Sequence, residues 1–576
     1  MTPYLILQAE DGRWLQFQQP VQQFTTSNLA DVLPLLRAVE TAVNQQGLWA
    51  AGFLSYEAAP AFDAALVVRP PQSDLPLLWY GLFAPETVTP IDLPAASDQD
   101  YRLGNWQPTV NETAYQAAFA AVKEHIARGE TYQVNYTFRQ HAPFQGDPFA
   151  LFLDLYRAQQ SAHAAYLDLG PWVICSASPE LFFALDGQTV TTRPMKGTAA
   201  RGLTVIEDEA QANWLHHSEK NRAENVMIVD MIRNDLGRVA ALGSVVVPHL
   251  FAVERYPTLW QMTSTVTAKS DRSWTDLLTA LFPCASITGA PKVRTMQIIA
   301  ALETTPRGVY CGSIGYLAPN RRGRFNVAIR TVTIDRRRDL AEYGVGGGIV
   351  WDSSAEGEFA ECRLKARLLT LARPPFELLE TLRWQPDDGY CLLDYHLRRL
   401  RETAVYFNIP LDLNRIQTAL DRAVANQKEP VKVRLLVNGA GDASVEISPL
   451  PDKPLRSVGL ATQPVDRSNP FLYHKTTHRA PYDQARAGCP DVDDVLLWNE
   501  QGELTESTIA NLVVQYQGEW LTPPMSSGLL PGTMRQYLLD QGRIREAVIP
   551  QHWLPDCAQV VLVNSVRGWQ PVSLRQ

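Results

Sequence analysis

A capped helix followed by two prolines divides this chain into two parts of unequal size. Ser353-Ser354-Ala355-Glu356 has capping-box spacing, in which a Ser hydroxyl and an acid three residues on satisfy free backbone donors, and predicts a helix to about Thr370. Pro374 and Pro375 cannot continue it, because proline lacks an N–H and its ring clashes with the preceding turn. A new pattern starts at Phe376-Glu377-Leu378-Leu379-Glu380-Thr381. About 370 residues lie before the break and about 200 after it, each enough for a core of its own. A weaker boundary, polar and Pro-bearing, lies at residues 93–108. The expected divisions are an N-terminal subdomain (1–105), a larger catalytic domain (106–371), a proline linker (372–375) and a second domain (376–576).

Apolar β-rich runs at Trp172–Cys175, Ser244–Pro248, Phe325–Ile329, Val433–Val437 and Val560–Val563 predict strands. Helical patterns lie between them at Tyr115–Arg128, Arg222–Asn234 and Tyr395–Tyr406, so both halves are expected to be α+β. Lys plus Arg number 52 against 61 Asp plus Glu, with no basic run, which disfavours nucleic acid as a partner. Of the seven Cys, the nearest two, Cys284 and Cys311, are 27 residues apart. No CxxC occurs and the count is odd, which suits reduced thiols in a cytoplasmic protein. Neither a secretory leader nor an apolar run long enough to cross a bilayer is visible, so no membrane partner is expected.

Chemical groups cluster four times in the first half: Ser178-Pro179-Glu180, Arg193-Pro194-Met195-Lys196-Gly197-Thr198, Lys220–Asn225, and Gly344–Val350 followed by Glu358-x-x-Glu361-x-x-x-Lys365. Glu358 and Glu361 share a helix face, and with Glu224 they suit Mg2+, a hard cation that takes few carboxylates and keeps positions open for substrate oxygens. Solvated helix-face acids would show the same spacing. The glycines miss the dinucleotide fingerprint; a phosphate cradle and a close backbone approach to a carboxylate ligand both remain open.

These segments, with Gly129–Asn135, AENVMIVDMIRNDLGRV, FPCASITGAPK and AIRT, resemble the chorismate-utilising enzymes in colinear order over residues 108–368. The resemblance implies a Mg2+-bound chorismate in a cleft between two α/β lobes. Members that hydrate chorismate carry a Lys base where this chain has Gln133, and anthranilate synthases carry Ala where it has Lys196. Resemblance to the aminodeoxychorismate synthases implies that Lys196 attacks C2 while Glu180 protonates the departing C4 hydroxyl. Ammonia then adds at C4 and expels Lys196. The same resemblance puts Glu224, Glu358 and Glu361 at the metal and Ser286, Tyr310, Arg330, Gly346, Gly347 and Lys365 at the substrate. Two positions depart from the family: Asn221 replaces an acid, and Gln261 stands where many relatives carry a His, which in anthranilate synthases is linked to pyruvate loss. No Gly-x-Cys-x-Gly elbow is present, so a separate glutamine amidotransferase subunit is expected to supply ammonia.

In the second half a pyridoxal phosphate enzyme would need a Schiff-base lysine, an acid at the ring nitrogen and a cationic or N–H-rich phosphate pocket. Lys475, Glu506, and Arg399 with Gly532-Thr533 are candidates. His474 and His478 have zinc-ligand spacing, but Lys475 between them and the want of a third ligand argue against it. The segments HLRRL (396–400), HKTTHR, residues 493–512 and GLLPGTMR (528–535) resemble fold-type IV pyridoxal phosphate enzymes over residues 376–576. That family's pattern implies Arg399 and Thr533 at the phosphate, Thr508 among the cofactor contacts, Glu506 at the pyridine nitrogen, and Lys475 as Schiff-base lysine and proton carrier. Asn564–Trp569 resembles the lyases of the family. Together the halves imply amination of chorismate followed by loss of pyruvate to 4-aminobenzoate. The alternative is an anthranilate synthase component joined to an aminotransferase.

Overall fold

The computed structural model describes residues 2–94, 97–369 and 376–575. The expected linker at 372–375 and the end of the helix predicted to about Thr370 lie outside them. The chain forms two compact units, Met1–Arg201 with Gln211–Arg373, and Gly202–Ala210 with Pro374–Gln576.

The first unit is built on an 11-stranded and a 10-stranded sheet, every pairing antiparallel. Period-two alternation decides which core each side chain enters. Leu5 and Leu7 of the Tyr4–Gln8 strand face an inner core shared with Phe53 and Trp79 of the other sheet, while Ile6 faces outward. Helices cover both outer faces. Leu29–Gln46, Glu219–Gly237 and Trp274–Leu281 pack on one; Glu112–Ala127, Pro148–Gln159 and Ala355–Ala366 pack on the other. Strands buried on both faces read as continuous apolar runs, as Tyr4-Leu-Ile-Leu-Gln8 does.

The first ninety or so residues are woven through this unit. Tyr4–Gln8 and Trp14–Gln18 lie in one sheet, and Gln22–Thr26, Trp49–Leu54 and Leu78–Phe83 lie in the other. The predicted C-terminal helix of this unit starts one residue later than its capping box suggests. Ser354 is the N-cap and accepts from Gly357 N–H at 3.2 Å, which frees Ser353 Oγ to donate to Glu358 Oε1 at 2.6 Å.

The second unit holds a four-stranded sheet and an eight-stranded one. Six of the eight close into a ring, because Leu504–Ser507 pairs with both Asp494–Trp498 and Asn511–Tyr516. Leu393–Phe407 and Leu413–Val424 cover the four-stranded sheet, burying Leu400, Ile416 and Leu420 against Val433 and Leu435. Gly202 and Leu203 belong to this unit: Tyr406 Oη donates to Gly202 O at 3.0 Å, and His474 Nε2 lies 3.1 Å from Leu203 O.

Candidate active sites

Lys196 reaches a cleft of about 870 Å³ through a break in strand pairing. Between Met195, opposite Thr263, and Thr198, opposite Gln261, the Met195–Ala200 strand carries one residue more than its partner. Gly197 takes φ +97° at this bulge, which a side chain would strain, and the bulge aims Lys196 into the cleft. Gln261 braces the distortion, its Nε2 donating to Gly197 O at 2.8 Å. Gln261 thus supports the backbone next to Lys196. Lys196 Nζ makes no hydrogen bond or ion pair among the described residues, and burial lowers its pKa despite nearby Glu224. On Gly348 a Cβ would stand 3.0 Å from Lys196 Nζ and 2.8 Å from Gln133 Nε2, so the bare glycine gives both groups room.

Glu180 follows the Trp172–Ser176 strand into the same cleft. Burial pushes its carboxyl up to about 7, Ser286 and Lys196 partly opposing, and its Oε1 is buried with no hydrogen-bond partner. A carboxylic acid that keeps its proton near neutrality is suited to act as a general acid. Arg330 lines the cleft with φ +52°, a backbone cost of about 1–3 kcal/mol for a non-glycine residue, and Gln159 Oε1 accepts from its Nη1. Lys365 Nζ donates to Gly346 O at 2.9 Å and pairs with Glu361 at 2.7 Å. Ser286 and Tyr310 complete the wall.

Glu224, Glu358 and Glu361 reach this cleft from two helices. Burial raises Glu224 to about 7, and burial with the neighbouring Glu361 raises Glu358. Burial also acts on Glu361, but Lys365 holds it below its ordinary value. Lys220 Nζ sits 3.6 Å from Glu358 Oε1 and 3.9 Å from Glu224 Oε1. No three metal-ligating side chains close around one point among the described residues. The donor set still fits a hard divalent cation: three crowded carboxylates open to the cleft, their charge offset by only two lysines, Lys220 and Lys365.

The second pocket, about 1360 Å³ and open to solvent, lies in the other unit. Lys475 is fixed through its backbone, its carbonyl accepting from Leu379 N–H at 3.0 Å while Leu378 bridges to Thr476. Burial, reinforced by Arg399, lowers its amine to about 8. Glu506 accepts from Leu530 N–H at 3.0 Å, Tyr482 Oη at 2.9 Å and Asn511 Nδ2 at 3.2 Å, yet burial still raises it to about 7. Arg399 lines the wall, its Nε donating to Glu380 at 2.8 Å and its Nη1 to Pro531 O at 3.1 Å. Thr533 is the first residue of the Thr533–Asp540 helix and also lines the pocket. Thr508 lies on the same wall, with its hydroxyl committed to Asp494 and its carbonyl to Arg479. A buried lysine, a separate protonatable acid and a cationic corner fit pyridoxal phosphate.

The family model described as chorismate binding enzyme matches residues 2–371. The chain belongs to the chorismate-binding enzymes. A second model, amino-transferase class IV, matches residues 377–574, so this chorismate-binding enzyme carries a class IV domain. Aminodeoxychorismate synthase component 1 of Escherichia coli is 44% identical over 46% of this chain and 58% of its own length. The Bacillus subtilis protein of the same name is 39% identical over 48% of this chain and 59% of its own. The chain thus spans a little over half the length of these curated relatives. Among solved structures, anthranilate synthase component I of Streptococcus pneumoniae is 26% identical with TM-score 0.52, covering 64% of this chain and 90% of that one. A menaquinone-specific isochorismate synthase of Escherichia coli shares the fold at 21% identity and TM-score 0.51, covering 64% and 89%.

The chorismate-binding unit brings its sequence-predicted residues together, with one exception. Gly347 lies off the cleft wall, where a Cβ would stand 3.1 Å from Glu358 Oε2. Its bareness accommodates that carboxylate, and the wall is made by Gly346 and Gly348. Sequence reasoning missed Tyr343 and Gln159 as site residues in the first unit and gave Lys220 no role beyond its cluster, and it missed Glu380, His396, Tyr482 and Asn511 in the second. His396 carried a usable signal, as the first residue of the HLRRL motif that holds Arg399. Gln159 carried none, being one polar residue at a helix end.

Proposed function

We propose that this enzyme makes 4-aminobenzoate in two steps: amination of chorismate at C4 to 4-amino-4-deoxychorismate, then elimination of pyruvate. The observation that carries the reading is the unpartnered Lys196, aimed by its bulge into the cleft that holds the buried acid Glu180. Arg330 and Lys365 grip the two substrate carboxylates. Glu224, Glu358 and Glu361 would hold Mg2+, which supplies positive charge for substrate oxygens. Lys196 Nζ, neutral, bonds to C2 as both conjugated ring double bonds shift and the C4 hydroxyl leaves, taking the Glu180 proton to depart as water. Ammonia bonds at C4, both double bonds shift back, the C2–Nζ bond breaks to release Lys196, and the proton that the new C4 amine loses returns to Glu180. A glutamine amidotransferase subunit is the proposed ammonia source. The names of the curated relatives favour this chemistry over anthranilate formation.

In the class IV domain pyridoxal phosphate would supply an electron sink when bound. Lys475 would be the residue that attaches to it and that takes the C4 proton of the substrate. Glu506 keeps the ring nitrogen protonated, and Arg399 with Thr533 receives the phosphate. A product assay with chorismate, Mg2+, ammonium and pyridoxal phosphate tests both steps. 4-Aminobenzoate plus pyruvate is the expected result. 2-Aminobenzoate would overturn the role given to Lys196, and stalled aminodeoxychorismate would overturn the lyase reading.

A further inference from the structure

One buried carboxylate in the second unit serves two basic groups. Glu380 accepts from Arg399 Nε at 2.8 Å and Nη2 at 2.6 Å, and its Oε2 lies 2.6 Å from His396 Nδ1. The far nitrogen of the imidazole, Nε2, lies 2.9 Å from Ser565 Oγ and 3.3 Å from Thr533 Oγ1. Both hydroxyls line the pocket, as Arg399 does, whereas His396 and Glu380 lie behind them, each only 1% exposed. We infer that His396 is a proton-carrying brace for an anion: when a phosphate-class group settles against Arg399, Thr533 and Ser565, His396 takes up one proton from solvent, and Glu380 holds the new charge. This inference rests on the reading of the pocket as a pyridoxal phosphate site.

Hydrogen-bond polarity supplies the coupling. Glu380 is a pure acceptor, held down to about 2 by Arg399 and His396 against the pull of burial, so Nδ1 must carry the proton it shares with Glu380. In the neutral ring Nε2 then accepts, and a hydroxyl that donates to it turns lone pairs toward the pocket, which repels an anion. A protonated Nε2 donates to Ser565 instead, and the serine proton becomes free to point at an anionic oxygen. Charge works in the same direction. Burial depresses the imidazole below its ordinary value, Glu380 opposing, while Arg399 and Lys475 add to the depression. These three are the charged groups facing the ring. A bound dianion offsets Arg399 and Lys475, and so raises the proton affinity of His396. Binding is therefore strongest at low pH and weakens as pH rises through the free-to-bound range of His396.

The test is calorimetry on full-length protein stripped of cofactor, in buffers of different ionisation heat. Sulfate is one probe, since it does not titrate between about pH 6 and about 8, and pyridoxal phosphate is the other. Wild type is expected to take up as much as one proton from buffer, with sulfate affinity falling by at most about tenfold per pH unit. His396→Gln can still donate to Ser565 but cannot ionise. It should bind sulfate without the uptake and with the slope flattened. Equal uptake in both proteins would overturn the inference. Should the variant not fold, nitrogen-15 NMR of wild-type histidines replaces it: one buried ring gaining a proton when sulfate is added supports the brace, and none doing so overturns it. Sulfate uptake without any pyridoxal phosphate binding would sink the cofactor reading and leave the brace standing. Cofactor bound with its visible absorbance but with no His396-dependent uptake would do the reverse.

Discussion

Lys196 and Lys475 are both buried, and both have amines lowered from their ordinary value, but their surroundings are opposite in kind. Lys196 stands among Glu180, Glu224 and Glu361, has no partner of its own among the described residues, and shares its cleft with an orphaned oxygen on Glu180. Lys475 stands near Arg399 and Arg479 in a pocket whose main acid, Glu506, already accepts three hydrogen bonds. An orphaned polar atom in a buried site costs about 1–3 kcal/mol until a ligand satisfies it. The first site thus has polar groups that only a ligand would satisfy. The second already satisfies its acid internally, and its surplus positive charge suits one anionic group.

The sharpest way to break this comparison is to remove each lysine. Lys475→Ala should reduce 4-aminobenzoate output to background and abolish cofactor absorbance while aminodeoxychorismate accumulates, as read by product chromatography. Lys196→Ala should stop amination and leave cofactor absorbance intact. Cross-effects between the two would show that the sites do not work as separate machines. Next in size, Glu180→Gln removes a general acid and should slow amination about 10²- to 10⁴-fold in steady-state assays. The pH dependences should run in opposite directions. Amination should fall as pH rises through about 7, where Glu180 gives up its proton. Cofactor attachment should improve as pH rises through about 8, where Lys475 becomes neutral. Smaller again, Gly197→Ala forces a side chain onto φ +97° with Asn221 Cβ at 3.0 Å, and should destabilise the first unit by about 1–3 kcal/mol. Denaturant unfolding would read this, with cofactor absorbance unchanged. Gln261→Ala, which loosens the brace on Gly197 O, should cost amination only a few-fold.

The elements most legible in the sequence were those whose local chemistry agrees with their place in the fold. The Trp172–Ser176 strand, the Glu219–Gly237 helix and the Leu393–Phe407 helix follow apolar patterns a short window can detect. Lys196, Glu180, Lys475 and Glu506 stood out because reactive side chains sat in recognisable runs. The bulge at Gly197 did not, since one extra residue is visible only against its partner strand 64 residues on at Gln261. Which of the glycines makes the cleft wall was hidden for a related reason. In a strand, successive residues face opposite ways, and a run of three glycines gives no clue to which face each one takes. Gln159 and Glu380 were invisible as site residues because their roles lie in partners 171 and 16 residues away.

The interleaving of the first sheet also sets an order in time. Tyr4–Gln8 can pair with Trp14–Gln18 as soon as both leave the ribosome, but its other neighbour, Ala165–Asp168, is made about 150 residues later. Trp172–Ser176 must then wait for Thr331–Asp335. At the usual pace of synthesis each wait lasts on the order of ten seconds, during which an apolar edge with unpaired backbone groups stands open. The yield of this protein in a cell therefore depends on how well that nascent edge is kept from other chains, a demand the finished sheet no longer shows.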